Sequence, residues 1–348
     1  MILSHLWISN FEEWVRFIGA FNMPVFFFLS GFTCKSRSTK ETLKRSFYQL
    51  IIPYILFTVF SYLYWVPVMW LRHPEIYEHN INELVIKPFL GLFLAFPDNT
   101  KFSTNLNGPL WFLRALFWCR VYDSISLKEK ENVSDIIKIF ISVTICICCS
   151  FFKYKNYIPW SIVQGLFGYQ FFILAKLIHR HLGDVFTRIN CFFRFVLSLI
   201  LFAIVFFLAK SNGYFSIPNI SFGNNIFISY TNALLGTFAC CCFFSIISRI
   251  PKMFDFLSKN TLTVLAIHYY CLGFIVVFMK YFFKFDISHP NLMQWYIGIF
   301  IAWFTLILCI IPAYFLNKFF PIMIGKQKKN SIDKEVKNEK NQKILKKE

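Results

Sequence analysis

The chain has 348 residues, of which 57% are hydrophobic and only 16% charged, with a mean hydropathy of +0.53, whereas soluble domains carry about 25% charged residues. Together with an aromatic fraction of 21%, including 47 Phe, this excludes a protein whose only solvent is water and suits one that meets lipid. The formal net charge of +18 does not point to nucleic acid, because the cations lie between apolar runs and in residues 317–348 rather than on one soluble face.

Met1–Ile8 is apolar but reaches only about 12 Å as a helix, against a hydrocarbon thickness of roughly 30 Å. It reads as the end of a truncated first helix, with upstream residues that include a cation expected in the native frame. A cleaved signal peptide is not expected, since no basic leader precedes the stub and no small-residue site follows it. Apolar windows then place complete spans near 17–34, 49–71, 108–123, 136–152, 158–175, 191–209, 226–247, 260–279 and 295–316, nine in all. Segments 35–48, 124–138, 176–190 and 248–259 carry fourteen Lys and Arg in 56 residues, and the alternate segments carry nine in 80. The denser set is therefore expected on the cytoplasmic side.

In the longest outer segment, the apolar patch Leu84–Phe96 is broken by Lys87, Pro88 and Gly91 and reads as interfacial or re-entrant. Residues 317–348 hold ten Lys against four acidic side chains and read as a basic, disordered tail on the cytoplasmic side. The expected fold is all-α, a polytopic transmembrane helical bundle of about nine complete spans plus the truncated first helix. Residues 1–316 form one membrane domain and 317–348 the tail. The eleven Cys lie mostly inside apolar runs, as Cys146, Cys148 and Cys149 do, and read as small buried hydrophobes, so neither a metal site nor a disulfide is expected.

Ionisable groups inside apolar runs are costly unless they are paired, hydrated or turned to the bundle interior. His5, Arg114, Arg120 and His268 are of this kind. Arg120 reads as snorkelling to the cytoplasmic interface, and Arg114 lies deeper. His268 suits either a core histidine bonded to a neighbouring helix or a working base. Met23-Pro24 interrupts helical hydrogen bonding in the first complete span, and Ser30-Gly31 permits close helix approach two turns later, so this region packs helices or opens a polar cavity. Trp111 reads as an interfacial anchor or a platform for stacking sugar. His179 and Asp184 have the His-x4-Asp spacing of glycerolipid acyltransferases, a two-position match that arises easily by chance.

Several strings agree with a known family in order. Phe21-Asn22-Met23-Pro24 through Phe32 resembles a signature of the integral-membrane acyltransferase 3 family, particularly its fucose 4-O-acetylase-like branch. His5 resembles the histidine closing the family's first helix, and Lys44-Arg45 with Ile52-Pro53-Tyr54 resembles the start of its third. Gly108-Pro109-Leu110-Trp111-Phe112-Leu113 resembles its Leu-Trp-Phe-Leu motif, and Asn260-Thr261 through His268 resembles a late helix ending in histidine. Two departures stand out. The cation that the family often carries some ten residues before its first histidine has no counterpart here, and the family's Phe-His-Met-Pro appears with Asn22 in place of histidine.

The resemblance implies O-acetyl transfer from acetyl-CoA, a co-substrate rather than a tightly bound cofactor, to a carbohydrate hydroxyl. The acceptor would be a cell-surface polysaccharide or a lipid-linked precursor at a bacterial inner membrane. A sugar hydroxyl needs a base within hydrogen-bond reach, and a histidine suits that role; His5 is the first candidate and His268 the second. Arg37, Lys44 and Arg45 are the candidates for holding the phosphates of the donor. Asn22, Ser30, Trp111 and Arg114 are the candidate acceptor contacts. A transporter of a lipid-linked sugar or small solute is the alternative reading, since buried cations among many helices also suit translocation. A non-catalytic assembly subunit is a third.

Overall fold

The computed structural model describes residues 2–5, 12–35, 37–72, 80–96, 104–125, 131–152, 158–183, 185–284 and 295–326. A single 3-10 turn, Ile2–His5, precedes α1 (Glu12–Phe32), in which Pro24 sits inside a continuous helix and is buried. Next comes α2 (Thr39–Ser46), whose N-cap Ser38 accepts the amide of Glu41 at 3.4 Å. It runs through a wide π-helical turn at Phe47–Ile51 into α3 (Ile52–Arg72), so the second half of the expected loop 35–48 is helix. The outer patch forms α4 (Lys87–Leu94), and its C-cap Ala95 adopts the left-handed conformation.

The remaining helices are α5 (Trp111–Ser124), α6 (Glu131–Phe151), α7 (Ile162–Leu182), α8 (Cys191–Asn212), α9 (Ile226–Phe244), α10 (Lys252–Lys259), α11 (Thr261–Phe282), α12 (Trp295–Leu308) and α13 (Ile310–Phe319). The break between α12 and α13 falls at Leu308–Cys309, where the ring of Pro312 takes the space of a fourth-preceding carbonyl.

Eight helical runs among the described residues are long and apolar enough to cross a bilayer: α1, α2–α3, α6, α7, α8, α9, α11 and α12–α13. The ninth expected span, 108–123, is shorter than these, but it still carries the chain back from the far end of α3 to the end where the Ser124 carbonyl accepts from Thr39. It becomes α5, a helix of 14 residues that reaches about 21 Å. Short, and carrying Arg114, Arg120 and Asp123, it lies inside the bundle against α7, where Gly165 admits Trp118 and the Ala115 carbonyl. Helix α7 packs closely on α1 as well. A Cβ on Gly31 would overlap the backbone of Phe172, and one on Gly168 would overlap the ring of Phe27. Phenylalanines such as Phe192, Phe207 and Phe300 stand on the outside of the bundle, as expected where the surrounding solvent is hydrocarbon.

Two segments differ from the sequence-based expectation. The outer loop 210–225 contains a hairpin, β1 (Phe215–Ser216) antiparallel to β2 (Ser221–Phe222), whose Phe215, Ile217, Ile220 and Phe222 are buried in the bundle end. Asn212 holds it, donating to the Phe222 carbonyl at 3.1 Å and accepting from the Asn225 amide at 2.7 Å. The expected tail begins as structure: α13 runs to Phe319 and a 3-10 turn occupies Pro321–Ile324. Ile324 is buried, and Lys326 donates to Asn260 at 3.3 Å. Its apolar Pro321-Ile322-Met323-Ile324 stretch explains why this part packs on the bundle; residues 327–348 lie outside the described residues.

Polar contacts sort the segments between helices into two ends. Thr39 bonds the Ser124 carbonyl at 2.9 Å, Arg120 bonds Gln49 at 2.9 Å, and Arg180 pairs with Asp135 at 3.0 Å. A Cβ on Gly325 would press on the backbone of Gln49, which puts the last described residues at this same end. At the other end Lys210 pairs with Glu13 at 2.8 Å, and Gln164 bonds the Pro218 carbonyl of the hairpin at 2.8 Å. The segments rich in Lys and Arg thus share one end. Labelling of single substituted cysteines in intact cells is expected to reach residue 214 from outside and to leave residue 44 protected; the reverse pattern would invert the orientation.

Candidate active site

The two candidate histidines, 263 positions apart in sequence, meet in space. The first turn is fixed by Ile2, packed with Leu272, Ile275 and Ile301, and it ends on His5. The His5 ring lies 5.4 Å from that of His268 and 4.7 Å from that of Tyr269, centre to centre. The Tyr269 hydroxyl is 2.8 Å from His5 Nδ1. Adjacent side chains on a helix diverge by about 100°, and His5 occupies the notch between these two.

His268 has no exposed surface. Its Nδ1 lies 2.8 Å from the carbonyl of Leu265 and 3.1 Å from that of Val264. Carbonyls only accept, so Nδ1 carries a proton and the neutral ring has its lone pair on Nε2. That Nε2 is buried without a hydrogen-bond partner among the described residues. An unpartnered buried acceptor is costly, and a substrate hydroxyl would satisfy it.

The turn opening α5 is clamped to the same stretch of α11. Asn107, itself buried, donates to the Ala266 carbonyl at 3.0 Å, and Ser61 bonds the Tyr270 hydroxyl. A Cβ on Gly108 would lie 4.0 Å from the Tyr269 hydroxyl. Tyr269 and Asn107 were not legible as site residues from spacing. The available signal was a Tyr directly after an intramembrane His.

The candidate acceptor contacts scatter. The Asn22 side-chain oxygen accepts the next amide, that of Met23, at 2.6 Å. Trp111 is only 5% exposed and packs on Phe27 with ring centres 6.3 Å apart, so it is a core side chain and not an interfacial anchor. Arg114 is 1% exposed, donates to the carbonyls of Ala95 and Phe96, and lies 4.9 Å from the centre of the Tyr54 ring. It closes the C-terminal end of α4, where the last carbonyls lack helical partners.

Ser30 opens instead on a second feature, a polar cavity of about 450 Å³ at the cation-rich end. Among the described residues six cations line it, Lys35, Arg37, Arg45, Arg120, Lys138 and Lys176, against Asp123 and Asp135. Lys176 bonds both Asp123 oxygens, at 2.8 and 2.9 Å. Arg37 and Arg45 flank Glu41 at 3.5 and 3.1 Å, Arg45 one helical turn after it on α2 and Arg37 from the segment just before the N-cap Ser38. Lys44 lies on the exposed side of α2. Arg120 reaches this cavity at the cation-rich end and bonds Gln49 there. Cys34 also lines the cavity; burial, then Asp123, pushes its thiol up, away from the reactive thiolate. His179 packs on Phe32 with ring centres 4.5 Å apart, and Asp184 lies outside the described residues.

The acyltransferase-domain family of integral-membrane acyltransferases, acyltransferase 3, has a family model that matches residues 2–314. Neither a curated protein nor a solved structure matches the chain significantly.

Proposed function

The chain belongs to the acyltransferase 3 family of membrane acyltransferases, and from that premise we propose that it moves an acetyl group from acetyl-CoA to a carbohydrate hydroxyl. The acceptor is a cell-surface polysaccharide or a lipid-linked precursor, and the protein sits in a bacterial inner membrane with its C-terminal end cytoplasmic. The ordered strings from His5 to His268 favour the fucose 4-O-acetylase-like branch.

The observation that carries this reading is the paired histidines, with the Nε2 of His268 beside His5 and without a partner among the described residues. His5 takes the hydroxyl proton, and the freed oxygen attacks the thioester carbonyl. The carbon–sulfur bond breaks, and the thiolate leaves with the proton returned by the imidazolium. His268, uncharged and fully buried, accepts a second hydroxyl through Nε2 and sets the acceptor in place. It stands eight residues into the bundle from Asn260, about 12 Å along the helix axis, so the acyl end of the donor must reach inward from the cation-rich end.

The donor phosphates belong in the basic cavity, where Arg37 and Arg45 face a net excess of positive charge. Arg45→Ala is expected to raise KM for acetyl-CoA about tenfold, the loss of one charge-assisted contact, with the acceptor KM unchanged. Equal effects on both substrates would assign Arg45 to topology alone. The proposal itself is tested with protein in lipid vesicles, supplied with acetyl-CoA and candidate glycans. Release of free CoA that requires both protein and glycan supports it. Movement of glycan across the vesicle membrane without CoA release would favour the transporter.

A further inference from the structure

We propose that Tyr269 is the positioning residue of His5, its hydroxyl accepting the Nδ1 proton so that Nε2 is left as the basic nitrogen; this rests on the reading of His5 as the base. His5 ends a turn of four residues, and so short a turn does not by itself hold an imidazole in one orientation. The backbone of the turn is held by Ile2 and Leu3 packing on α11 and α12. The ring needs its own restraint, and the 2.8 Å contact from Tyr269 to Nδ1 supplies it. A neutral imidazole carries one proton, on either nitrogen. With the Tyr269 oxygen as the acceptor, as proposed, the proton stays on Nδ1 and Nε2 is the nitrogen open to a substrate. A phenol is a weaker acceptor than a carboxylate, but it adds no charge inside a membrane, where an unpaired carboxylate would be costly.

The same tyrosine connects three parts of the site. It follows His268 on α11, touches the His5 ring on one side, and faces Gly108 of the α5 opening turn on the other. Gly108 lacks a side chain at that point, and the adjacent Asn107 is tied to Ala266 one helical turn before Tyr270. The position of His5 is thereby set by the helix that carries the second histidine.

The test is a double-mutant cycle on the full-length protein in lipid vesicles. Tyr269→Phe is expected to lower kcat about tenfold, with KM for acetyl-CoA and acceptor changed less than about twofold, as the loss of one orienting hydrogen bond implies. In the His5→Ala background the same change is expected to have no further effect, because the two residues act as a unit. Tyr269→Gln, which keeps an acceptor oxygen, is expected to retain more activity than Tyr269→Phe at equal thermal stability. An unchanged kcat in Tyr269→Phe, or an equal loss in both backgrounds, would overturn the role of Tyr269 and leave the proposed function standing. Full activity in His5→Ala alone would overturn the assignment of the base and this inference with it.

Discussion

His5→Ala is expected to lose about a hundredfold or more in acyl transfer, the usual contribution of a general base, while inserting and expressing as the parent does. The side chain is partly exposed on a short turn whose anchoring lies in Ile2 and Leu3, so its removal leaves the packing of the bundle in place. His268→Ala provides the comparison. It removes a fully buried ring bonded to its own helix at 2.8 and 3.1 Å, so some loss of stability accompanies the loss of activity. Rates therefore need to be referred to folded protein. If folded His268→Ala is inactive and His5→Ala retains its rate, the base is His268 through Nε2, and His5 is a neighbour.

The largest structural effect is expected at Gly31. Gly31→Ala places a Cβ against the backbone of Phe172, which cannot swing aside as a side-chain tip would. The two helices must separate, and α1 and α7 form the centre of the bundle. A cost of about 3 kcal/mol or more is expected, at the upper end of overpacking effects. Gly273→Ala on the outer face of α11 is the control, since a Cβ there meets nothing within 4 Å and helix propensity favours the change by roughly 1 kcal/mol. Thermal unfolding in detergent checks both. Equal melting temperatures for Gly31→Ala and the parent protein would mean that α1 and α7 are not in the close contact described.

The spans were legible because hydropathy integrates over about twenty residues, and a bilayer penalises every unpaired backbone group outside a helix. Residues 108–123 were legible as a crossing but not as a buried one. Their apolar average is like that of a span, yet α5 is a short interior helix whose cations are met by the carbonyls of Ala95 and Phe96 and by Gln49, partners that a hydropathy window cannot see. The hairpin at 215–222 carried a signal in its apolar alternation around Pro218-Asn219, which its placement in an outer loop obscured.

For the site, chemistry was more legible than geometry. His5 and His268 were singled out because an imidazole in an apolar run calls for a reason, but no spacing reveals that residues so far apart share a notch. Arg37 and Arg45 were read from charge, and that both pair with Glu41 at the rim of one cavity follows only from the fold. Trp111 shows the opposite limit. Its residue type suited an interface, and burial against Phe27 was decided by the fold.

Acetyl transfer to a carbohydrate is tested most directly by mass spectrometry of surface glycan from deletion and complemented cells. Glycan from the deletion strain is expected to lack an acetyl-sized mass present in the parent, restored by the wild-type chain and not by His5→Ala. Identical glycan masses in deletion and complemented cells would contradict it.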